Sequence, residues 1–210
     1  MSLSEQVKQF DALLQRDEPV LALAPMQDVT DLPFWKVIRS RGGADLYYTE
    51  YFRVHADSRL EKPILRSITE NPTGRPVVAQ MIGNSIPDLV RTARELQQHP
   101  IAAVDLNLGC PQKIAKKGHY GAYLLTEPEL CAELVGALHR ALALPVTIPA
   151  APSDCGIGVG ALYSAQPPPL DAPRDLMFAG PGLFDLDDLP SLAADRRAEI
   201  FTDDHALANK

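Results

Sequence analysis

Residues 76–108 read PVVAQMIGNSIPDLVRTARELQQHPIAAVDLNL. The stretch opens on an apolar run, 76–82, of strand length, and Gly83 and Asn84 then punctuate it. Asn84 or Ser85 precedes a helix expected over about 88–98, with Pro87 in its first turn, where a missing N–H costs nothing. A second apolar run, 101–108, follows at once. Strand, helix and strand within 33 residues make a βαβ unit, which implies parallel strands and a right-handed crossover. Both runs are apolar on both faces, as strands are when each face of the sheet is covered.

The same alternation extends both ways. Upstream, 45–50 (DLYYTE) reads as a strand, and so does 20–24 (VLALA), stopped by Pro25. Between them Thr30 or Asp31 caps a helix that runs through Trp35, Val37 and Ile38 to Gly42 and Gly43. Residues 3–16 carry Val7, Phe10, Leu13 and Leu14 at helical spacing. Downstream, 127–142 is helical and 145–148 begins a fifth strand. Repeated βα fits either a barrel or a doubly wound sheet. No GxGxxG follows the first strand and no GxxxxGK(S/T) occurs, which disfavours a nucleotide-binding doubly wound sheet.

The charge is unevenly spread. The 210 residues carry a net −7, yet residues 1–148 hold 16 basic and 17 acidic side chains, whereas 149–210 hold 4 and 10. The acidity therefore does not argue against a nucleic-acid partner for the first part. Residues 149–210 also hold 8 of the 19 prolines and show no βα repeat. They read as a Pro-rich acidic tail of low order, with a short helix near 187–199. No apolar run reaches membrane-span length, so no membrane partner is expected. The N-terminus, MSLSEQVKQF, lacks the basic-then-apolar order of a signal peptide, and a soluble cytoplasmic chain is expected. Cys110, Cys131 and Cys155 give an odd count with no CxxC pair, which argues against a disulfide framework and a zinc knuckle; no metal is expected.

Ligands of repeated βα folds meet the carboxyl ends of the strands. Those ends carry Pro25, Met26 and Gln27; Thr49, Glu50 and Tyr51; Gln80; then Asp105, Asn107 and Cys110, followed by Lys113, Lys116, Lys117 and Gly121. Singly, each has an ordinary explanation. Pro25 ends a strand, Gln80 and Asn107 are buried amides, Cys110 is a small hydrophobe, and the lysines are a solvated face. Their convergence on one end of successive strands points instead to a site.

LAPMQDVTDLPF, VAQMIGN and DLNLGCPQKIAKKGHYGAYLL closely resemble segments of the tRNA-dihydrouridine synthases, flavin-dependent TIM-barrel enzymes, over roughly residues 18–148. The resemblance implies an α/β fold of (β/α)8 TIM-barrel type, of which the first four to five βα units are present, followed by the irregular tail. It divides the chain into an N-terminal helix (1–17), a partial flavin-binding barrel (18–148) and the tail (149–210). It implies FMN held by Pro25, Met26, Gln27 and Gln80, and NADPH as reductant. It places Asn107 near the target uracil and makes Cys110 the general acid. Lys113, Lys116 and Lys117, on a basic, Gly-containing loop, would meet tRNA phosphates. Reducing the uridine C5=C6 bond requires a hydride and a proton on adjacent carbons, and the resemblance implies that reduced flavin supplies the hydride to C6 and the cysteine the proton to C5. An ordinary thiol, with a pKa of about 8.5, is mostly protonated at neutral pH and can supply the proton. A monomer is expected.

The pattern also breaks. The family's fifth strand leads into a lysine that contacts flavin, but here Pro145-Val146-Thr147-Ile148 runs into Pro149, and no lysine follows before Lys210. Partners expected from the sixth to eighth strands, including the phosphate-binding turns, have no match. A complete barrel takes about 250 residues. The expectation is a chain resembling about half a barrel, truncated and impaired, with weak flavin binding. Two alternatives stand beside it: another FMN-dependent pyrimidine-reducing TIM-barrel dehydrogenase, and a non-catalytic truncated relative. The basic KIAKKGH stretch favours RNA over a free base.

Overall fold

The structure is a computed structural model that describes residues 2–18 and 20–147. The expected tail, the short helix expected near 187–199, Cys155 and the break expected after Thr147 lie outside the described residues. Among the described residues six parallel strands form one sheet: β1 Ala22–Leu23, β2 Leu46–Tyr48, β3 Phe52–Arg53, β4 Val77–Ile82, β5 Ala103–Leu106 and β6 Val146–Thr147. Their order is β1-β2-β4-β5-β6, with β3 also pairing with β4 beyond the end of β2.

The order decides between the two architectures the sequence leaves open. A doubly wound sheet reverses direction at a switch point and carries helices on both faces. Here each crossover steps the same way, so the connecting helices gather on one face, as in a barrel wall. These helices are α2 Leu32–Ser40, α3 Lys62–Glu70, α4 Ile86–Leu96 and α6 Pro128–Ala141. Trp35, Ile68, Leu89, Leu96, Leu134 and Leu138 from them pack on Tyr47, Val77, Ala79, Met81, Val104 and Leu106 of the sheet. Burying each such leucine contributes about 1.5–3 kcal/mol. The opposite face, with Leu46, Tyr48, Val78 and Ala103, receives Phe10 of α1 Leu3–Leu14.

Local signals account for the helix starts. Ser2 and Glu5 form a capping box on α1, and Asp31 caps α2 by accepting from the Phe34 N–H at 3.0 Å. Prolines stand in the first turn of α2, α3, α4 and α6. Gln6 of α1 is fully buried and its Oε1 accepts from the Val77 N–H at 2.8 Å, tying α1 to the start of β4.

The strands are shorter than their apolar runs. The run 20–24 contributes two residues and 101–108 four, because a ladder forms only where a neighbouring strand is in register. Between the second and third predicted strands the structure adds β3 and α3. The basic stretch expected as a loop is a short helix, α5 Lys113–Gly118, closed by His119 in the left-handed conformation (φ 52°) and followed by a 3-10 turn, Gly121–Thr126.

Candidate functional site

Register sets the site. Gln80 pairs with Asp105, and Asp105 with Thr147, so three polar side chains stand abreast on β4, β5 and β6. They lie two residues beyond Val78 and Ala103, on the face that α1 covers lower down. The Gln80 Nε2 donates to Asp105 Oδ2 at 2.7 Å, and the Thr147 hydroxyl donates to Asp105 Oδ1 at 3.1 Å. The Asn107 Nδ2 donates to Gln80 Oε1 at 2.9 Å. Asn107 Oδ1 in turn accepts the N–H groups of Gly109 and Cys110 at 3.1 and 3.0 Å. The half-buried Cys110 is thus held by its main chain, and its thiol, in no disulfide, meets the Tyr51 phenol.

Asp105 is fully buried, and burial pushes its carboxyl up to about 7, against the hydrogen bonds from Gln80 and Thr147. The neighbouring Tyr48 phenol is also pushed up, by burial first and then by Asp105. A carboxyl raised on folding favours the protonated native state, so its contribution is fully present below the unfolded value near 3.8 and is lost as pH climbs to about 7. Asp105→Asn is therefore expected to gain stability relative to the unaltered chain as pH rises across that window. Urea unfolding at pH 4 and pH 8 checks the sign; a difference that does not grow with pH would refute it.

The Cys110 loop is fastened by Gly121. The Ala122 N–H donates to the Cys110 carbonyl at 3.1 Å, and Tyr123 donates its hydroxyl to the Pro111 carbonyl at 3.2 Å. Gly121 has φ 63°, and a Cβ there would sit 2.7 Å from the Cys110 oxygen. Gly121→Ala is expected to cost about 1–2 kcal/mol from the left-handed backbone alone, with further displacement of the Cys110 turn. Thermal unfolding, with amide exchange at Ala122, measures both effects. Tyr51 is buried beside this turn; burial and the Cys110 thiol push its phenol up, and the Arg53 guanidinium lies 5.5 Å from its ring centre.

The first-strand segment forms a second lobe. Thr30 organises it, accepting the Met26 N–H at 2.9 Å, and Met26 and Val29 are exposed. Gln27 Nε2 donates to Glu50 Oε2 at 3.4 Å, while Gln27 Oε1 and Glu50 Oε1 are buried without a hydrogen-bond partner. Burial raises the Glu50 carboxyl; Asp28 and Asp31 raise it further, while backbone N–H groups of Asp28 and Val29 lower it. Lys113, Lys116 and Lys117 are exposed on α5, which Asn84 ties to the end of β4 through the Gly118 and His119 carbonyls (2.9 and 3.0 Å).

Gln80, Asn107 and Cys110 are thus brought into one hydrogen-bonded chain. Pro25, Met26 and Gln27 form a separate lobe, and the lysines flank the Cys110 turn. Sequence reasoning gives Asp105, Gly121, Glu50 and Tyr51 no role. The signal for Asp105 is a carboxylate in an otherwise apolar strand, two residues before Asn107 and so on the same face. Among the described residues, no group of three or more His, Cys, Asp or Glu could hold a metal, and no helix is long and apolar enough to cross a membrane.

A family model described as dihydrouridine synthase matches residues 22–151. The chain is 39% identical over 131 residues to a tRNA-dihydrouridine(16/17) synthase of Schizosaccharomyces pombe, a match covering 61% of this chain and 32% of that protein. It is 39% identical over 132 residues to the Saccharomyces cerevisiae protein of the same name, covering 61% and 31%. Both names carry NAD(P)(+). It is 34% identical over 128 residues to a tRNA-dihydrouridine(20/20a) synthase of Synechocystis, covering 61% and 38%. The chain thus spans about a third of the length of these relatives.

Proposed function

This chain belongs to the dihydrouridine synthase family, and on that footing we propose that it acts in the reduction of uridine to dihydrouridine in tRNA, with FMN as the bound cofactor and NADPH as reductant. Dihydrouridine is uridine reduced at one C=C bond, so the chemistry is that of an oxidoreductase. The observation that carries the reading is the continuous hydrogen-bonded chain Gln80–Asn107–Cys110. It joins the residues that the family resemblance assigns to flavin, uracil and proton donation.

The residues fit the ring of a flavin. Gln80 keeps a second amide N–H, and Gln27 and Glu50 carry buried oxygens without partners, so donors and acceptors both remain at the strand ends. The exposed Met26 adds an apolar surface. The family resemblance places the turns that would hold its phosphate after later strands, and this sequence shows no match for them. When bound and reduced, the flavin supplies the hydride for uridine C6. Cys110 gives its thiol proton to C5, and the resulting thiolate is reprotonated from solvent. Asn107 holds the Cys110 turn and lies beside the base. The target nucleotide leaves its stack to reach a site at the ends of the strands.

The exposed lysines of α5 favour RNA over a free pyrimidine. Replacing Lys113, Lys116 and Lys117 together by alanine is expected to weaken tRNA binding and to reduce the slope of log affinity against log salt by roughly 2–3, since each neutralised phosphate contributes slightly less than one. Filter binding at several salt concentrations measures it; an unchanged slope removes α5 from the RNA surface. We take residues 18–148 as the flavin-binding part and the chain as a cytoplasmic monomer. Dihydrouridine formed in tRNA on adding the chain, FMN and NADPH tests the function. No product, together with no flavin absorbance retained on gel filtration, would overturn it.

A further inference from the structure

Asp105 takes no part in the chemistry above, yet it anchors the chain of side chains that does. It is fully buried, and both its oxygens receive donors, Gln80 Nε2 at 2.7 Å and the Thr147 hydroxyl at 3.1 Å. Burying a carboxyl is costly, and a shape-matched apolar side chain would avoid that cost. What the carboxyl supplies is direction. A carboxamide offers donors at one end and an acceptor at the other, and turning it over exchanges them. With Gln80 Nε2 committed to Asp105, its Oε1 must face Asn107 Nδ2, and Asn107 Oδ1 must face the Gly109 and Cys110 N–H groups. If Gln80 turned over, its NH2 would meet that of Asn107. If Asn107 then turned as well, its NH2 would meet two backbone N–H groups.

We propose that Asp105 is a positioning residue whose carboxyl sets the donor–acceptor direction of the relay Gln80–Asn107–Cys110, fixing the Cys110 turn and leaving a Gln80 N–H, rather than a carbonyl, for the cofactor. The direction survives titration of the carboxyl. A proton on Oδ1 turns toward Thr147, whose hydroxyl then accepts it, and Oδ2 remains an acceptor for Gln80. Tyr48, packed beside Thr147, is a neutral phenol in both states. The part of this inference that concerns the cofactor rests on the flavin reading; the part that concerns the turn does not.

The test uses the full chain and two readouts. Asp105→Leu keeps the branched shape but offers no acceptor, whereas Asp105→Asn keeps an acceptor for Gln80 and donates to Thr147. The leucine variant is expected to speed amide exchange at Gly109 and Cys110 by about tenfold or more, the loss of one buried hydrogen bond's hold, while Val104 and Leu106 in β5 keep their protection. The asparagine variant is expected to stay within about threefold of the unaltered chain. Gln80→Met breaks the relay one link further on and should repeat the leucine result if Asp105→Leu does not fold. Unchanged exchange at Gly109 and Cys110 in the leucine variant, or in Gln80→Met where that stands in, overturns the proposal. So does equal loss in the asparagine and leucine variants. In the second readout FMN is titrated and its fluorescence followed. Asp105→Leu is expected to weaken FMN binding by about tenfold and Asp105→Asn to leave it near that of the unaltered chain. Binding by the unaltered chain that Asp105→Leu does not weaken overturns the cofactor part of the inference alone. If the unaltered chain takes up no FMN, the flavin reading and the cofactor part fall together, and amide exchange alone decides the rest.

Discussion

Cys110→Ala is expected to slow uridine reduction by about 10²–10⁴-fold, the usual worth of a positioned general acid, while tRNA binding stays unchanged. The structure makes this substitution informative. Cys110 is held through its backbone N–H on Asn107 Oδ1 and its carbonyl under the Ala122 N–H, and neither contact involves the thiol. Removing the sulfur therefore leaves the turn in place, and a loss of rate reports chemistry rather than position. Cys110→Ser should fare little better, because an alcohol is a far weaker acid than a thiol. Single-turnover formation of dihydrouridine from chain preloaded with reduced FMN isolates the step. A rate within about threefold of the unaltered chain would remove Cys110 as the acid, since general acids contribute far more than that.

The largest effect on stability is expected at Trp35. Its ring is fully buried between α2 and the sheet, 5.1 Å from the Tyr47 ring centre at 51° between planes. Its Nε1 has no hydrogen-bond partner, so the side chain contributes through packing alone. Trp35→Ala is expected to cost about 3–5 kcal/mol, since the surrounding core closes only partly over the cavity. That is a large share of the roughly 5–15 kcal/mol typical of a whole domain. Val37, two residues along the same helix, is 58% exposed, and Val37→Ala should stay within about 0.5 kcal/mol. Urea unfolding followed by circular dichroism compares the two, since Trp35 is the only tryptophan and its fluorescence is lost with it. Equal midpoints in the two variants would show that the α2–sheet contact carries little of the stability.

Some of this architecture was legible before folding. The apolar runs at 76–82 and 101–108 and the prolines opening the helices are local signals, because alternation and capping depend on residues a few positions apart. Strand-end placement followed from them, and with it the gathering of Gln80, Asn107 and Cys110. Other features lay beyond such reading. The KIAKKGH stretch carries enough glycine and charge to suggest a loop, yet it completes a turn and a half of helix before His119 ends it. Gln6 looks like an ordinary polar residue of an amphipathic helix until its oxygen is found on the Val77 N–H, 71 positions away.

Read as a string of residues, the chain already specifies the kind of most main elements, β3 and α3 apart, the parallel sense of the strands, the family and the end of the sheet where the candidate site residues collect. These rest on period, punctuation and motif, which are written locally. Folding in three dimensions was needed to establish that the sheet winds in one direction, with its connecting helices on one face, since strand order is a property of long-range pairing. It was needed equally to establish that Asp105 is desolvated between Gln80 and Thr147, and so which way the amides leading to Cys110 must point. Burial and hydrogen-bond direction exist only once β4, β5 and β6 stand side by side.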